Sequence, residues 1–341
     1  MGFGKYVTKL FEIIPYGLFL KMYPFLKKTK LSDFADYAFE NVFEKKSRIL
    51  NNTKKHLQKV AKKGRYCSIE KGTWDYQFVN FCLVKNMLSN IIWCVERGFI
   101  PIINLFPSES SNYTIKSNLW EMFFEQPLSG CNAEKNSNSI VCPIISSPII
   151  PKFSDARKKE RVELWNTVLE LFAKYNKSTL EYFDSEIDEL IKGKHILACV
   201  LRSTDYTKLK PQGHPIQPAN QEVFEKIREV MKEYHIDGIY IATEDYNIAE
   251  AFKKEFPGMV IENKRRYFNE KYEQENLSVI SQVHFEREND DYLKMLEYMS
   301  SMNIVNKCEY LVTGLSGGSE MAIYRNGNTY KYSYIFDKGV Y

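Results

Sequence analysis

The sequence lacks the cysteine and histidine arrangements that hold disulfide frameworks or zinc ions. Its seven cysteines are an odd number without a CxxC pair, and its five histidines are equally scattered. Scattered cysteines indicate reduced thiols in the cytoplasm rather than a secreted, disulfide-stabilised protein. No pair of histidines has the spacing of zinc ligands. We therefore expect no bound metal ion.

Glycine, proline and net charge are also scarce. With 16 Gly, 12 Pro and 44% hydrophobic residues among 341, the chain has the composition of a folded protein. Its net charge of +4 is too small to indicate a nucleic-acid partner, although it suits an anionic small ligand. The length fits two domains of ordinary size.

No segment is apolar for long enough to span a membrane, and no signal-peptide cleavage site follows the apolar N-terminus. Charged residues and prolines interrupt the segment 3–30, at Lys5, Lys9, Glu12, Pro15, Lys21 and Pro24. Its aromatic residues and its lysines at 27, 28 and 30 suit a helix lying in a membrane interface, with a core-packed helix as the alternative. We predict a cytoplasmic protein whose residues 1–30 can associate with the inner face of the membrane.

Strand and helix patterns alternate along the rest of the chain. The N-terminal part has strands at 65–69 and 99–105, helical patterns at 75–96 and 154–193, and loops over most of 107–151. The C-terminal part has strands at 195–201, 238–243, 259–262 and 309–314, alternating with helices at 221–234, 247–256 and 292–302. This alternation predicts parallel sheets with right-handed crossovers. We divide the chain into an N-terminal α/β domain (31–190) and a C-terminal α/β domain (191–341).

Three acidic residues alternate within the helical pattern, at Asp184, Glu186 and Asp188. On a helix this spacing spreads them over different faces, which predicts a solvated surface rather than a metal site.

Polar residues follow three of the C-terminal strands, at the edge where parallel sheets bind ligands. The segment LRSTDY (201–206) supplies Arg202, whose planar guanidinium can bind two phosphate oxygens. A salt bridge to Asp205 or Asp245 is the alternative role. Glu244 and Asp245 follow the next strand and can accept hydrogen bonds from ribose or base groups, or Asp245 can cap the following helix.

The third polar strand end is TGLSGGSEMA (313–322), a glycine turn that opens a helix. Gly317 and Gly318 permit close backbone approach, and Ser316 and Ser319 add donors to the free amides of the helix start. Together, three polar ends in one sheet indicate an anion site more strongly than any one of them.

The segments LRSTDY, GHPIQP, IYIATED and YLVTGLSGGSEMAIY occur in this order between residues 196 and 324. In this respect the chain resembles the GDP-fucose-dependent α-1,6-fucosyltransferases and related bacterial enzymes of surface-polysaccharide synthesis. The resemblance implies a GT-B-type fold with two facing Rossmann-like domains, the donor in the C-terminal one. It also implies inversion at the sugar carbon, no metal or other cofactor, and a nucleotide sugar and a glycan acceptor as binding partners.

By the same resemblance, Arg202 would hold the β-phosphate, and Ser316 and Gly317 would lie near the diphosphate. Glu244 and Asp245 would line the nucleotide side, and His214 with Pro215 matches the family's His-Pro step. A metal-free enzyme needs a cation on the departing diphosphate, and Arg202 is the candidate.

The sequence departs from the family pattern at several positions. Val200 and Ser203 replace a histidine and a second basic residue around the arginine, and Ser301, with Glu297 one turn earlier, falls where relatives have an acidic residue near the guanine. Lys210 replaces an acidic residue proposed as the general base.

Asp205, Asp75 and His214 are the alternative candidates for the base. Asp75 would lie on the acceptor side, although it can equally cap the helix that follows, and its neighbours Trp74 and Tyr76 can equally be core residues.

The sequence therefore favours a glycosyltransferase that uses GDP-fucose. A glycosyltransferase that uses another nucleotide sugar is one alternative. A nucleotide-dependent oxidoreductase would need GxGxxG after the first strand, and residues 67–74 (CSIEKGTW) do not supply it. A non-catalytic nucleotide- or glycan-binding protein is the remaining alternative, because Lys210 removes the acidic residue.

Overall fold

The computed structural model describes residues 65–70, 80–96, 99–107, 115, 117–127, 140–142 and 150–341, and six separate positions before them, 14, 18, 22, 25, 26 and 29. Asp75, Trp74 and Tyr76 lie outside the described residues, as does most of the segment 1–30. At its described positions, Leu18, Met22 and Phe25 are exposed, whereas Leu26 packs against the core. Membrane association through this segment stays a prediction.

In the described part of the chain, the N-terminal sheet has three parallel strands in the order β2-β1-β3. They are β1 (Arg65–Ile69), β2 (Phe99–Ile103) and β3 (Ile140–Val141). The helix α1 (Phe81–Glu96) connects β1 to β2. Apolar residues occupy almost every face of α1, and most of them are buried, as expected for a helix enclosed by the core rather than lying on a surface.

The helical pattern predicted for 154–193 forms a 3-10 turn, Phe153–Arg157, and two helices, α2 (Lys159–Phe172) and α3 (Lys177–Leu190). Asn176 is the N-cap of α3, and its side-chain oxygen accepts a hydrogen bond from the Thr179 amide at 3.0 Å. This cap starts a new helix inside the segment that the sequence pattern predicted as continuously helical.

The prediction of a fully solvated acidic face on α3 was wrong for one residue. Asp184 and Asp188 are exposed, but Glu186 is buried and accepts hydrogen bonds from the Ser300 hydroxyl and the Lys264 amide. Because α3 packs against a C-terminal helix along this face, the carboxylate is satisfied by partners more than 70 residues away.

The C-terminal sheet has five parallel strands in the order β6-β5-β4-β7-β8. They are β4 (Ile196–Val200), β5 (Gly238–Ala242), β6 (Val260–Ile261), β7 (Tyr310–Thr313) and β8 (Tyr332–Ile335). The first four confirm the strands predicted from the sequence. The last, β8, was not predicted, because Tyr332–Ile335 is a half-exposed edge strand without a continuous apolar run.

Six helices surround this sheet, together with a 3-10 turn at Ile280–Gln282. They are α4 (Asp205–Leu209), α5 (Asn220–Glu233), α6 (Tyr246–Glu255), α7 (Asn269–Gln274), α8 (Asp290–Lys307) and α9 (Gly317–Asn326). Helices α8 and α9 pack against α3 and α2, respectively, and α9 also packs against α1.

One hydrophobic core runs through both parts of the molecule. It includes Ile69 of β1, Leu88 of α1, Leu311 of β7 and Met321 of α9. The predicted α/β class with two parallel sheets is confirmed. The domain boundary near residue 190 stays a prediction. Within the described residues, no helix has the length and apolar character needed to cross a bilayer.

Candidate functional site

The strand order brings the three polar strand ends together. Strand β4 lies in the middle of the C-terminal sheet, between β5 and β7, and all three run parallel. Arg202, Glu244 and Ser316, which follow these strands, therefore meet at one edge of the sheet. The chain leaves β4 toward β5 and later returns to its other side at β7, which is the topology that opens a ligand crevice in α/β sheets.

A cavity of about 520 Å³ lies at this edge. Its lining comes from both parts of the molecule: Phe81 and Lys85 of α1 line it together with Arg202, Glu244 and Ser316. A volume of this size lies within the range of small-molecule sites.

Arg202 lines the cavity but is already engaged with two carboxylates. Its Nη2 lies 2.8 Å from Oδ1 of Asp205, and its Nη1 lies 2.9 Å from Oε1 of Glu244. The salt bridge to Asp205 that the sequence left open is thus present, and Glu244 takes the place considered for Asp245. Although burial would lower it, the two carboxylates raise the pKa of Arg202.

Glu244 organises the loop that follows β4. Its Oε1 accepts hydrogen bonds from the Ser203 amide at 2.8 Å and the Thr204 hydroxyl at 2.9 Å, besides the contact to Arg202. Burial alone would raise the pKa of Glu244, but the Arg202 guanidinium and these hydrogen bonds hold it below its ordinary value. The carboxylate is therefore ionised at neutral pH.

The same loop holds a strained backbone conformation. Thr204 has φ 51° and ψ −121°, a region that a β-branched residue rarely adopts. Its hydroxyl bond to Glu244 helps to hold it there. Backbone strain of this kind persists where the surrounding contacts over-determine it, and it concentrates at functional sites.

Two of the predicted acidic residues are saturated and do not line the cavity. Asp205 accepts from Arg202 through Oδ1 and from the Ile280 amide, at 3.0 Å, through Oδ2. Asp245 caps α6 by accepting from the Asn247 amide at 2.8 Å, and its second oxygen accepts from the Ser203 hydroxyl. For Asp245 the structure adopts the helix cap that the sequence left as an alternative.

The glycine turn after β7 opens α9 toward the cavity. Ser316 and Ser319 cap the helix reciprocally: the Ser316 amide donates to the Ser319 hydroxyl at 2.7 Å, and the Ser319 amide donates to the Ser316 hydroxyl. Ser316, Gly317 and Gly318 line the cavity, whereas Ser319 is fully buried beneath them. The cap uses the Ser319 amide and leaves the amides of Gly317 and Gly318 for an anion.

His214 lines the cavity, while Pro215 is buried behind it and pairs with Val340 in an isolated antiparallel bridge. The His214 ring packs edge-on against Phe153 and Tyr206, and its Nδ1 has no hydrogen-bond partner. Burial and the charge of Lys85 lower the pKa of His214, so the ring is neutral at pH 7.

An ion pair that the sequence did not indicate joins the two walls. The Lys85 ammonium of α1 lies 2.9 Å from Oε2 of Glu320 in the first turn of α9. The Glu320 side chain has no exposed surface, and burial raises its pKa to about 7 despite the attraction of Lys85. These residues are 235 positions apart, so no local pattern could have paired them.

The cavity also contains basic residues that the sequence analysis missed. Arg265 and Arg266 follow β6, and Lys294 lies on α8. The run KRR after a short strand was the available signal. Ser301, the position considered for base recognition, lines the cavity and accepts from Tyr240, while Glu297 is held by Arg287.

Among the described residues, two groups of possible metal ligands occur outside the lining of the cavity. The thiols of Cys67, Cys94 and Cys142 lie within 4.8 Å of one another in the core, although their spacing in the sequence gave no such indication. His284 lies near Asp290 and Asp291, whose charges Lys294 already offsets. In the cysteine group, hydrogen bonds to the thiols of Cys142 and Cys67, together with burial, raise the pKa of Cys94 and keep its thiol protonated. The expectation of no metal ion stays a prediction.

No protein-family model matches the chain, and no curated protein matches it significantly. Solved structures do resemble it. NodZ α-1,6-fucosyltransferase soaked with GDP-fucose is 14% identical, with 76% of this chain and 92% of that chain covered and a TM-score of 0.44. The fucosyltransferase NodZ from Bradyrhizobium is 14% identical, with 76% and 93% covered and a TM-score of 0.43. POFUT1 in complex with GDP is 10% identical, with 80% and 98% covered and a TM-score of 0.46.

Proposed function

We propose that this protein is an inverting, metal-independent glycosyltransferase. By the motif resemblance its donor is GDP-fucose, and its acceptor is a glycan of a bacterial surface polysaccharide. One observation carries the proposal: three polar strand ends of the C-terminal sheet converge on a cavity that helix α1 of the N-terminal part also lines. A donor on the sheet side and an acceptor on the α1 side would meet between these walls.

The amides of Gly317 and Gly318 and the guanidinium of Arg202 suit the diphosphate of the donor. Loss of the sugar leaves additional negative charge on that diphosphate, and donors already fixed toward it stabilise this charge without reorganisation. The Arg202 side chain has N–H groups beyond those bonded to Asp205 and Glu244. The salt bridges to Asp205 and Glu244 fix the direction in which the remaining N–H groups of Arg202 point.

His214 is the described residue best suited to remove the proton from the acceptor hydroxyl. It lines the cavity, and its lowered pKa leaves the imidazole unprotonated at neutral pH. Asp205 is the other described candidate for the general base, but its two carboxylate oxygens already accept hydrogen bonds from Arg202 and from the Ile280 amide. A general base must reach the proton that it abstracts.

Calorimetric titration of GDP, UDP, CDP and their sugars, with and without magnesium, tests the donor class. Tight, magnesium-independent binding of GDP-fucose, followed by transfer to a glycan, supports the full proposal. Preference for UDP or CDP sugars keeps the glycosyltransferase and discards fucose. If no nucleotide diphosphate or its sugar binds, the proposal is wrong.

The Arg202→Lys variant tests the mechanism. Arg202→Ala is a poor test, because it leaves two buried carboxylates without their cation, a change that typically costs about 3–5 kcal/mol. Lysine retains the charge but loses the planar fork. We expect transfer to fall at least tenfold in Arg202→Lys and to stay normal in Arg228→Lys, a surface control on α5. Unchanged transfer in Arg202→Lys would contradict the assigned role.

A non-catalytic binding protein is the alternative, and one observation favours it. Lys210 is exposed at the end of α4, where relatives have the acidic residue, and Asp205 is saturated. Donor binding without sugar release or transfer, over a panel of glycan acceptors, would support this alternative.

A further inference from the structure

The described lining of the cavity carries more positive charge than its own carboxylates neutralise. Among these residues, three acidic side chains line the cavity, and each has a basic partner. Glu244 pairs with Arg202, and Glu320 pairs with Lys85. Glu297 pairs with Arg287, which stands outside the cavity wall. None of these carboxylates is left to balance a further cation.

Five basic side chains from the described part of the chain line the same cavity, and three of them are already paired. Arg202 and Lys85 hold the carboxylates just described, and Lys294 lies 3.3 Å from Asp291 and 3.6 Å from Asp290. The other two, Arg265 and Arg266, have no acidic partner among the residues that the structure describes. They leave two positive charges facing the ligand space.

The position of these two arginines is fixed by the backbone around them. They lie between the Lys264 amide, which donates to Oε1 of Glu186 at 3.3 Å, and the Phe268 amide, which donates to the Glu244 carbonyl at 2.9 Å. The loop after β6 is thus tied to α3 on one side and to the strand end of β5 on the other. Nε of Arg265 is buried and has no hydrogen-bond partner.

Guanidinium groups that line a cavity without a carboxylate partner leave uncompensated positive charge there, and an anionic ligand would balance it. The charge of Arg202 cannot serve alone, because two carboxylates already offset it. Two arginine charges match the dianionic character of a diphosphate, and guanidinium groups bind phosphate oxygens in pairs.

We propose that Arg265 and Arg266 supply the net positive charge that binds the diphosphate of the substrate, while Arg202, whose charge two carboxylates offset, adds hydrogen-bond donors and fixes the geometry of the β4 loop. This inference rests on the proposed function, since it takes the substrate to be a nucleoside diphosphate derivative. It assigns a binding role to a loop in which the sequence motifs indicated none.

Calorimetry on the full chain tests the assignment. GDP, UDP and CDP are titrated into the wild type, and the tightest of them is compared with its uncharged nucleoside and with inorganic pyrophosphate. The variants are Arg265→Ala, Arg266→Ala and the double variant. Arg228→Ala on α5, which removes the same charge far from the cavity, is the matched control.

We expect each single variant to bind the diphosphate about tenfold or more weakly, with the double variant weaker still. Binding of the nucleoside should be unchanged, and the salt dependence of diphosphate binding should decrease. Arg228→Ala should behave as the wild type. If Arg265→Ala does not fold, Arg266→Ala carries the test, because Arg266 is exposed and its removal leaves no cavity in the core.

The outcomes separate this inference from the proposed function. Wild-type affinity for the diphosphate in folded variants overturns the assignment of Arg265 and Arg266 and leaves the glycosyltransferase proposal standing. Equal loss of nucleoside and diphosphate binding also overturns it, because that pattern indicates a distorted cavity. Failure of the wild type to bind any nucleoside diphosphate removes the proposed function and this inference together.

Discussion

The buried ion pair between Lys85 and Glu320 predicts an unusual dependence of stability on pH. Glu320 has no exposed surface, and burial raises its pKa from the ordinary 4.5 to about 7. The folded protein therefore holds this proton more tightly than the unfolded chain does. Between about pH 4.5 and pH 7 the folded state binds more protons, so the free energy of unfolding decreases as the pH rises.

The magnitude follows from the two pKa values. They differ by about 2.5 pH units, and each unit corresponds to about 1.36 kcal/mol, so ionisation of Glu320 costs the folded state about 3 kcal/mol. Glu320→Gln keeps the shape of the protonated acid and cannot ionise. We expect the free energy of unfolding of the variant, relative to that of the wild type, to increase by about 3 kcal/mol as the pH rises from about 4 to about 8.

Urea unfolding of the wild type and Glu320→Gln at several pH values measures this difference, in which the titration of all other groups cancels. Glu225→Gln, which changes an exposed residue of α5, is the control and should show no such trend. Lys85→Met removes the attraction that opposes the burial effect and should move the decline to a higher pH. A pH-independent difference between wild type and Glu320→Gln would refute the reasoning.

Two further predictions concern close packing and buried polar contacts. Gly314→Ala would place a methyl group 2.5 Å from Oε1 of Gln217, so we expect urea unfolding to show a loss of about 2 kcal/mol. The control Gly317→Ala, whose new methyl group would have its nearest neighbour 4.0 Å away, should cost under about 1 kcal/mol. Equal losses in the two variants would contradict this prediction. Asp155→Ala removes the acceptor of the buried Trp165 indole N–H, which lies 2.9 Å away, and should lower the free energy of unfolding by about 2–4 kcal/mol. A melting temperature unchanged from wild type would count against the importance of that contact.

Local patterns in the sequence determined much of the C-terminal half. Short apolar runs such as those at 196–200 and 238–242 are buried on both faces of a parallel sheet, and they form strands within a residue or two of the predicted bounds. Because parallel strands end at one edge, the sequence placed Arg202, Glu244 and Ser316 at that edge, whereas the strand order that makes them neighbours came from the fold.

The partners of the site residues were not determined locally. The sequence could not decide between a ligand role and an ion pair for Arg202, or between a ligand role and a helix cap for Asp245. Such choices depend on which donors the fold places within about 3 Å, and the structure provides Glu244 for the first and the Asn247 amide for the second.

Local sequence patterns therefore predicted most of the strands, their α/β alternation and the polar character of the strand ends. These properties follow from periodicity and from chain connectivity, which are local. The tertiary structure alone decided that Lys85 meets Glu320, that Glu186 is buried, and that Arg265 and Arg266 are left unpaired in the described part of the cavity. Burial and ion pairing depend on distances between residues far apart in the chain, and no local pattern encodes those distances.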